Sequence, residues 1–196
     1  MPLDHEEELI RRVKQDPQAF AFVYDQHYHS IFSYVFRRLA NYEAARDVTA
    51  ETFLKGFQKI DAFEWRSIPI SAWLFRIATN EINLFFRQAK YRPACLDTNL
   101  HRYLRYEEGV ETEKAALEQA LKESNDFLMI QKQLLDLDTK YQEVIALRFF
   151  EEKSMKEISA ILGKKEGTVK SLLSRGLKKL RMALEQEPLS LGEGLG

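Results

Sequence analysis

Residues 154–180 read SMKEISAILGKKEGTVKSLLSRGLKKL, and the rest of the chain is understood from this stretch. Met155, Ile158, Ile161 and Leu162 recur at helical spacing, Gly163 interrupts them, and a second periodic run begins near Glu166. The spacing predicts two helices joined by a tight glycine turn, the outline of a helix-turn-helix. At roughly 100° per residue, Val169, Leu173, Gly176, Leu177 and Leu180 share one side of the second helix. Ser171, Ser174, Arg175 and Lys178 fall on the other, with Lys170 at its edge. A helix about 10 to 12 Å across fits the major groove, where serine and arginine reach base edges and lysines meet phosphates. The plainer alternative is a solvated helix face. From Gly163 to Arg181 there are seven basic residues (Lys164, Lys165, Lys170, Arg175, Lys178, Lys179, Arg181) against the single acid Glu166, a local +6 in a chain of net charge -1. That concentration favours DNA.

With 196 residues, 45% of them hydrophobic, the chain can bury a core as one large or two small domains. No apolar run approaches the roughly 20 residues that span a bilayer, and the acidic start MPLDHEEELIRR lacks the build of a signal peptide. A soluble cytoplasmic protein without a membrane partner is expected. Cys95 is the only cysteine, which excludes an internal disulfide and a multi-cysteine zinc site. His27 and His29, two apart, point to different sides of a helix and have no H-E-x-x-H context. Glycine-rich phosphate loops and G-x-S-x-G elbows are missing. Neither catalysis, nor a metal, nor a cofactor is expected.

Toward the N-terminus, Asp16 reads as an N-cap with Pro17 at the first helical position. Tyr24, Tyr28, Ile31, Phe32, Val35 and Leu39 then mark an amphipathic helix with an aromatic-rich buried stripe. A second helix is predicted from Glu43 to Ile60, with Ala50, Phe53, Leu54, Phe57 and Ile60 on its buried side. Asp47 and Glu51 lie one turn apart elsewhere on it, and Glu51 with Lys55 has the spacing of an ordinary i,i+4 ion pair. DAFEWRSIPIS is too irregular for a helix, and Pro69 holds Ile68 extended. A third helix follows, burying Ile70, Trp73, Leu74, Ile77, Ala78 and Phe85.

The opposite side of that third helix is the informative one. Arg76, Asn80, Asn83, Arg87 and Lys90 recur at intervals of 4, 3, 4 and 3, a continuous stripe of cations and amides. A loop carrying Phe63, Trp65 and Arg66 flanks its start. Aromatics beside a basic groove suit single-stranded nucleic acid, because bases stack on rings while the backbone follows the charges. Core packing is the alternative for Phe63 and Trp73, and is the reading adopted for Trp73.

From Pro93 to Asn125 the composition turns acidic and poor in apolar residues, with eight acids counted through Asp126 against Arg102, Arg105, Lys114 and Lys122. This predicts a flexible linker over 93–125 whose second half, EKAALEQALKES, is partly helical. Phe127 to Leu135 opens a second domain, 126–184. Thr139 and Gln142 have capping-box spacing, and Val144, Ile145, Leu147 and Phe149 supply the core for the helix-turn-helix. The tail 185–196 has too little apolar content to fold. The expected architecture is all-α, with domains 1–92 and 126–184 joined by the linker.

One module suited to duplex and one to single strands is an uncommon pairing. In this order the residues resemble bacterial RNA polymerase sigma factors of the extracytoplasmic-function group, in the sigma-70 superfamily, which keep only conserved regions two and four. The resemblance covers Pro17 to Arg92 and Phe127 to Leu184. AFAFVYDQHYHSIFSYVFRRL resembles the start of region two, EAARDVTAETFLKGF its polymerase-binding helix, and SAWLFRIATNEINLFFR its promoter-melting helix. YQEVIALRFFEEKSMKEISAILGKKEGTVKSLLSRGLKKLR resembles region four.

The resemblance implies a transcription initiation factor that works on core RNA polymerase. Asp47, Glu51 and Phe53 match the D-x-x-x-E-T-F positions that grip the clamp helices of the largest subunit. The loop from Phe63 to Ile68 and the stripe from Arg76 through Asn80 to Arg87 match the element that captures a flipped minus-ten base. Thr168, Lys170, Ser171, Ser174 and Arg175 match the helix that reads minus-thirty-five duplex. Docking on the flap of the second-largest subunit and an anti-sigma partner are also implied. Leu172 stands where many members have arginine, implying a lost DNA contact, and Ala50 replaces a frequent glutamine. Glu64-Trp65-Arg66 departs from the common arginine- and glycine-rich loop. The competing readings are a stand-alone helix-turn-helix regulator, binding paired half-sites as a dimer, and an interaction module that holds polymerase without reading promoters.

Overall fold

The computed structural model describes residues 3–64, 68–89 and 129–186. The linker 93–125, Phe127, Lys90, Trp65, Arg66 and tail residues 187–196 lie outside the described residues. Among the described residues every regular element is helical. Helix α1 spans Leu3–Gln15, α2 Phe20–Leu39, α3 Tyr42–Lys59 and α4 Ile70–Ala89. In the second module α5 covers 129–135, α6 Thr139–Ile145, α7 Met155–Leu162 and α8 Glu166–Gln186.

The punctuation follows the chemistry of the caps. Asp16 accepts from the Gln18 amide at 3.0 Å, and Pro17 opens the short 3-10 turn that leads into α2. Asn41 accepts from the Ala44 amide at 2.8 Å and starts α3. Ser154 and Glu157 form a reciprocal capping box that starts α7, and Gly163, at φ 62°, ends it in the left-handed region. The capping box expected at Thr139 and Gln142 does not form. Asp138 is the N-cap there, and the Gln142 amide instead donates to the carbonyls of Leu135 and Leu137 at 2.9 and 2.8 Å.

Helices α2, α3 and α4 pack together, and an aromatic ladder runs along α2. Tyr28, Phe32 and Phe36 stack at 5.9 and 6.1 Å, each such pair contributing about 0.5 to 1.5 kcal/mol beyond its buried area. Gly56 lets α3 approach α4, since a Cβ there would sit 3.1 Å from Leu74 Cδ2. The buried side of α3 differs from the expected one. Ala45, Val48, Thr49, Thr52, Phe53 and Gly56 face inward, whereas Ala50 is exposed and Leu54 and Phe57 are 50% and 42% exposed. Small residues seat α3 in the bundle, so part of its apolar content is left for the surface.

The second module packs on the first, and one continuous core runs through both. Helix α7 lies against α4. Arg37 pairs with Glu151 at 3.3 Å, Asn83 donates to Glu143 at 2.9 Å, and Lys153 Nζ stands 4.7 Å from the centre of the Phe75 ring. Arg38 is fully buried, donating to the neutral Gln142 and Tyr34 at 3.3 Å each. After α6 the helix widens into a π turn over Ala146–Phe150. The extra residue per turn rotates Phe149 out of the core where the sequence pattern placed it, and it is 54% exposed.

Candidate nucleic-acid and polymerase interfaces

Helix α8 is held as a presenting helix. Ser159 Oγ donates to the Lys164 carbonyl, and the Lys164 amide donates back to Ser159 at 3.1 Å, fixing the turn that aims α8. Gly176 lets α8 close on α6, because a Cβ there would lie 3.1 Å from Ile145 Cδ1 and 3.2 Å from Tyr141 Cβ. Val169, Leu172, Leu173, Gly176 and Leu180 are buried. Thr168, Lys170, Ser171, Ser174, Arg175 and Lys178 are exposed, and Lys164 is half-buried at the turn. Lys170, Ser171, Ser174 and Arg175 line one shallow depression, in which Arg175 Nε donates to the Ser171 carbonyl at 3.1 Å. The remaining guanidinium nitrogens stay available as a fork for a base edge or a phosphate. Two expectations are corrected. Leu177 is 37% exposed, and Leu172 is 7% exposed, a packing residue here and not an outward position that has lost a cation.

The stripe on α4 is present but divided. Arg76, Asn80 and Arg87 are exposed, while Asn83 is half-buried by its bond to Glu143. Asn80, Asn83, Phe86 and Arg87 line a cleft whose far wall is Thr139 of the second module. A neighbouring cleft is lined by Phe63, Glu64, Ile68, Trp73 and Arg76, with Ala160 of α7. Phe63 is 7% exposed, its ring 4.9 Å from that of Trp73, so it supports the loop and offers no free face to a base. Trp73, read from the sequence as core, is half-buried and borders the cleft beside Arg76. Trp65, Arg66 and Lys90 lie outside the described residues.

On α3, Asp47 is exposed and Glu51 half-buried. Lys55 bridges Glu51 at 3.2 Å and Glu81 of α4 at 2.6 Å, so the i,i+4 pair forms and is extended to a second helix. The two carboxylates hold the Lys55 ammonium above the usual lysine range, Glu81 contributing most. Phe53 is 4% exposed between Tyr24 and Tyr28 and is not a surface contact. The large apolar residues of α3 that do reach solvent are Leu54 and Phe57. Asp47, Glu51 and Leu54 lie at i, i+4 and i+7, a spacing visible in the sequence once α3 is allowed an apolar outer edge.

These surfaces define a class: an all-helical protein in which a helix-turn-helix and a second helical module each present polar, cationic faces, with an acidic and apolar face alongside. Residues 23–92 match the model of Sigma-70 region 2, and residues 127–180 match that of Sigma-70, region 4. SigW of Bacillus subtilis, described as an ECF RNA polymerase sigma factor, is 34% identical over 183 residues, covering 89% of this chain and 94% of SigW. BldN of Streptomyces coelicolor, described likewise, is 27% identical over 181 residues, covering 92% of this chain and 66% of BldN. Among solved structures, CnrH in complex with the cytosolic domain of CnrY shares the fold at TM-score 0.67 and 21% identity, covering 93% of this chain and 99% of CnrH. The sigma factor RpoE bound to the anti-sigma factor NepR from Bartonella quintana does so at TM-score 0.61 and 22% identity, with 86% and 98% covered. The chain belongs to the extracytoplasmic-function sigma factors of the sigma-70 family. No helix among the described residues is long and apolar enough to cross a membrane.

Proposed function

We propose that this sigma factor binds core RNA polymerase and directs promoter-specific initiation by dividing the work among three surfaces. Asp47, Glu51 and the neighbouring Leu54 face the clamp helices of the largest subunit, with Phe53 shaping α3 from beneath. Thr168, Lys170, Ser171, Ser174 and Arg175 read the minus-thirty-five duplex, with Lys164 and Lys178 on phosphates. Arg76, Asn80, Asn83 and Arg87, together with Trp65, Arg66 and Lys90, hold the minus-ten single strand, and Phe63 and Trp73 back the loop. The exposed Phe149 is our candidate for the flap of the second-largest subunit.

The observation that carries this reading is the outward placement of two separate polar, cationic faces, on α4 and α8, in one chain. A single-site repressor has use for only one of them. Domains 1–92 and 126–184, joined by the linker 93–125, then act at two promoter elements. About 33 residues at up to roughly 3.3 Å each exceed 100 Å, more than two duplex turns at about 35 Å per turn.

Melting is driven by binding energy, and the protein performs no covalent chemistry. Unstacking a base costs a few kcal/mol, and stacking it on an aromatic returns about 1 to 3 kcal/mol. The near balance makes polymerase supply the remainder, so the isolated chain binds promoters weakly. An anti-sigma protein is the expected inhibitor, and the cytoplasm is the place of action. Reconstituted run-off transcription with core polymerase and genomic DNA tests the proposal. Selective starts that vanish on charge reversal at Arg175 and Lys178 support it. Starts no more selective than those of core alone overturn it.

A further inference from the structure

Helix α1 lies outside the region 2 match, which begins at residue 23, and the sequence pattern gave it no role. In the structure it grips both ends of the turn between α3 and α4. Lys14 Nζ donates to the carbonyls of Asp61 and Phe63 at 3.1 and 2.6 Å, where the 3-10 turn Ile60–Ala62 runs out. At the other end the Glu6 carboxylate accepts from the Ile70 amide, the first residue of α4. Each charge suits the helix end it meets. A cation satisfies carbonyls left over at a C-terminus, and an anion satisfies an amide left over at an N-terminus.

Glu6, Ile10 and Lys14 follow one another at intervals of four, so they lie on one face of α1. Ile10 and Val13 are 4% and 2% exposed, which fixes that face against the core. Eight residues of helix separate the two charged side chains by about 12 Å. The six residues from Glu64 to Pro69 could stretch to roughly 20 Å, so the connecting chain alone leaves the spacing of its ends undetermined.

We infer that α1 is a rigid spacer for the minus-ten reader: Lys14 and Glu6 are positioning residues that set the distance between the end of α3 and the start of α4, and through it the base preference of the α4 surface. This rests on the proposed single-strand role of α4. It predicts a loss of discrimination that is separate from any loss of polymerase binding.

The test uses the full chain with core polymerase on a promoter library randomised across the minus-ten element, with the minus-thirty-five element fixed. Lys14→Met, which removes both donor contacts, should shrink the ratio between best and worst minus-ten sequences about tenfold or more, the effect of losing at least one charge-assisted hydrogen bond. Glu6→Gln, which keeps an acceptor for the Ile70 amide but loses its charge, should shrink it by less. Affinity for core polymerase and for minus-thirty-five duplex should stay within about twofold. Lys14→Arg should restore the ratio. Glu6→Asp, which keeps the charge and shortens the reach by one methylene, should change the preference while the thermal midpoint holds, so the test survives a folding defect in the bolder variants. An unchanged preference profile in all four variants overturns the inference, as does a drop that merely tracks polymerase affinity or thermal stability. Asn80→Ala, assayed in parallel, tells the two failures apart. If it flattens the profile while the α1 variants do not, the spacer idea alone fails. If it too leaves the profile intact, the reading of α4 fails and the spacer idea goes with it.

Discussion

Replacing Glu143 and Glu151 together by alanine should part the two modules. Glu143 accepts from Asn83 at 2.9 Å, and Glu151 faces Arg37 at 3.3 Å with side-chain exposures of 6% for Glu151 and 15% for Arg37. A hydrogen bond to a charged group contributes about 1.5 to 3 kcal/mol, and the largely buried Arg37–Glu151 pair lies at the upper end of that range. The two contacts are carried by different residue pairs but share one interface, so their sum is discounted to about 3 to 4 kcal/mol. At 1.4 kcal/mol per decade, the open-to-closed ratio rises about a hundredfold or more. Asn83 is freed, and Thr139 no longer walls the cleft beside Asn80 and Arg87. The measurement is single-molecule energy transfer between dyes on cysteines introduced at Gln58 and Arg181, in a Cys95→Ser background, paired with binding of a minus-ten single-stranded oligonucleotide. The variant should populate a longer-distance state and bind the oligonucleotide more tightly. A distance distribution that coincides with that of the parent would refute the assignment of these two contacts as part of what holds the modules together.

Three further outcomes are expected. Burial, aided by the nearby Lys153 charge, pulls the His27 imidazole down from 6.5 to about 4. The unfolded chain therefore takes up its proton first, and up to about 3 kcal/mol of stability, present above pH 6.5, drains away as pH falls toward 4. Urea denaturation at several pH values should show that slope flattened in His27→Gln. Ser154→Ala removes one half of the capping box at α7 and should cost about 1 kcal/mol, seen as a lower urea midpoint with an unchanged m-value. The double variant Arg175→Ala, Lys178→Ala should weaken holoenzyme binding to minus-thirty-five duplex and lower the slope of log affinity against log salt by up to about 1.8, at about 0.9 per lost phosphate contact; an unchanged slope means that neither side chain meets the backbone.

The helix-turn-helix was legible because its signals are local. A glycine with positive φ, a 3.6-residue apolar rhythm and clustered cations all lie within 27 residues. The start of α4 was legible for the same reason, through Pro69. Faces were harder. In α3, Thr49, Thr52 and Gly56 are interior because small side chains bring the helices close, and Leu54 and Phe57 are left outside. Counting apolar residues assigns them the other way round. Phe149 was misplaced because a π turn shifts the helical phase by one residue, which no periodic pattern announces. The engagement of Asn83 depends on a residue 60 positions away, and α1 acts through main-chain groups at Asp61, Phe63 and Ile70, which carry no side-chain signature.

Arg38 gives the closed arrangement a thermal character of its own. Its guanidinium is sealed between Tyr34 of its own helix and Gln142 of the opposing module, so closing strips water from a full positive charge and returns a neutral hydrogen-bond acceptor, the Gln142 side chain. Hydration of ions loses strength as temperature rises, which makes that dehydration cheaper in warmth than in cold. The clasp between the modules should then be tighter in a heated sample and slacker in a chilled one, a built-in bias toward release when the temperature drops.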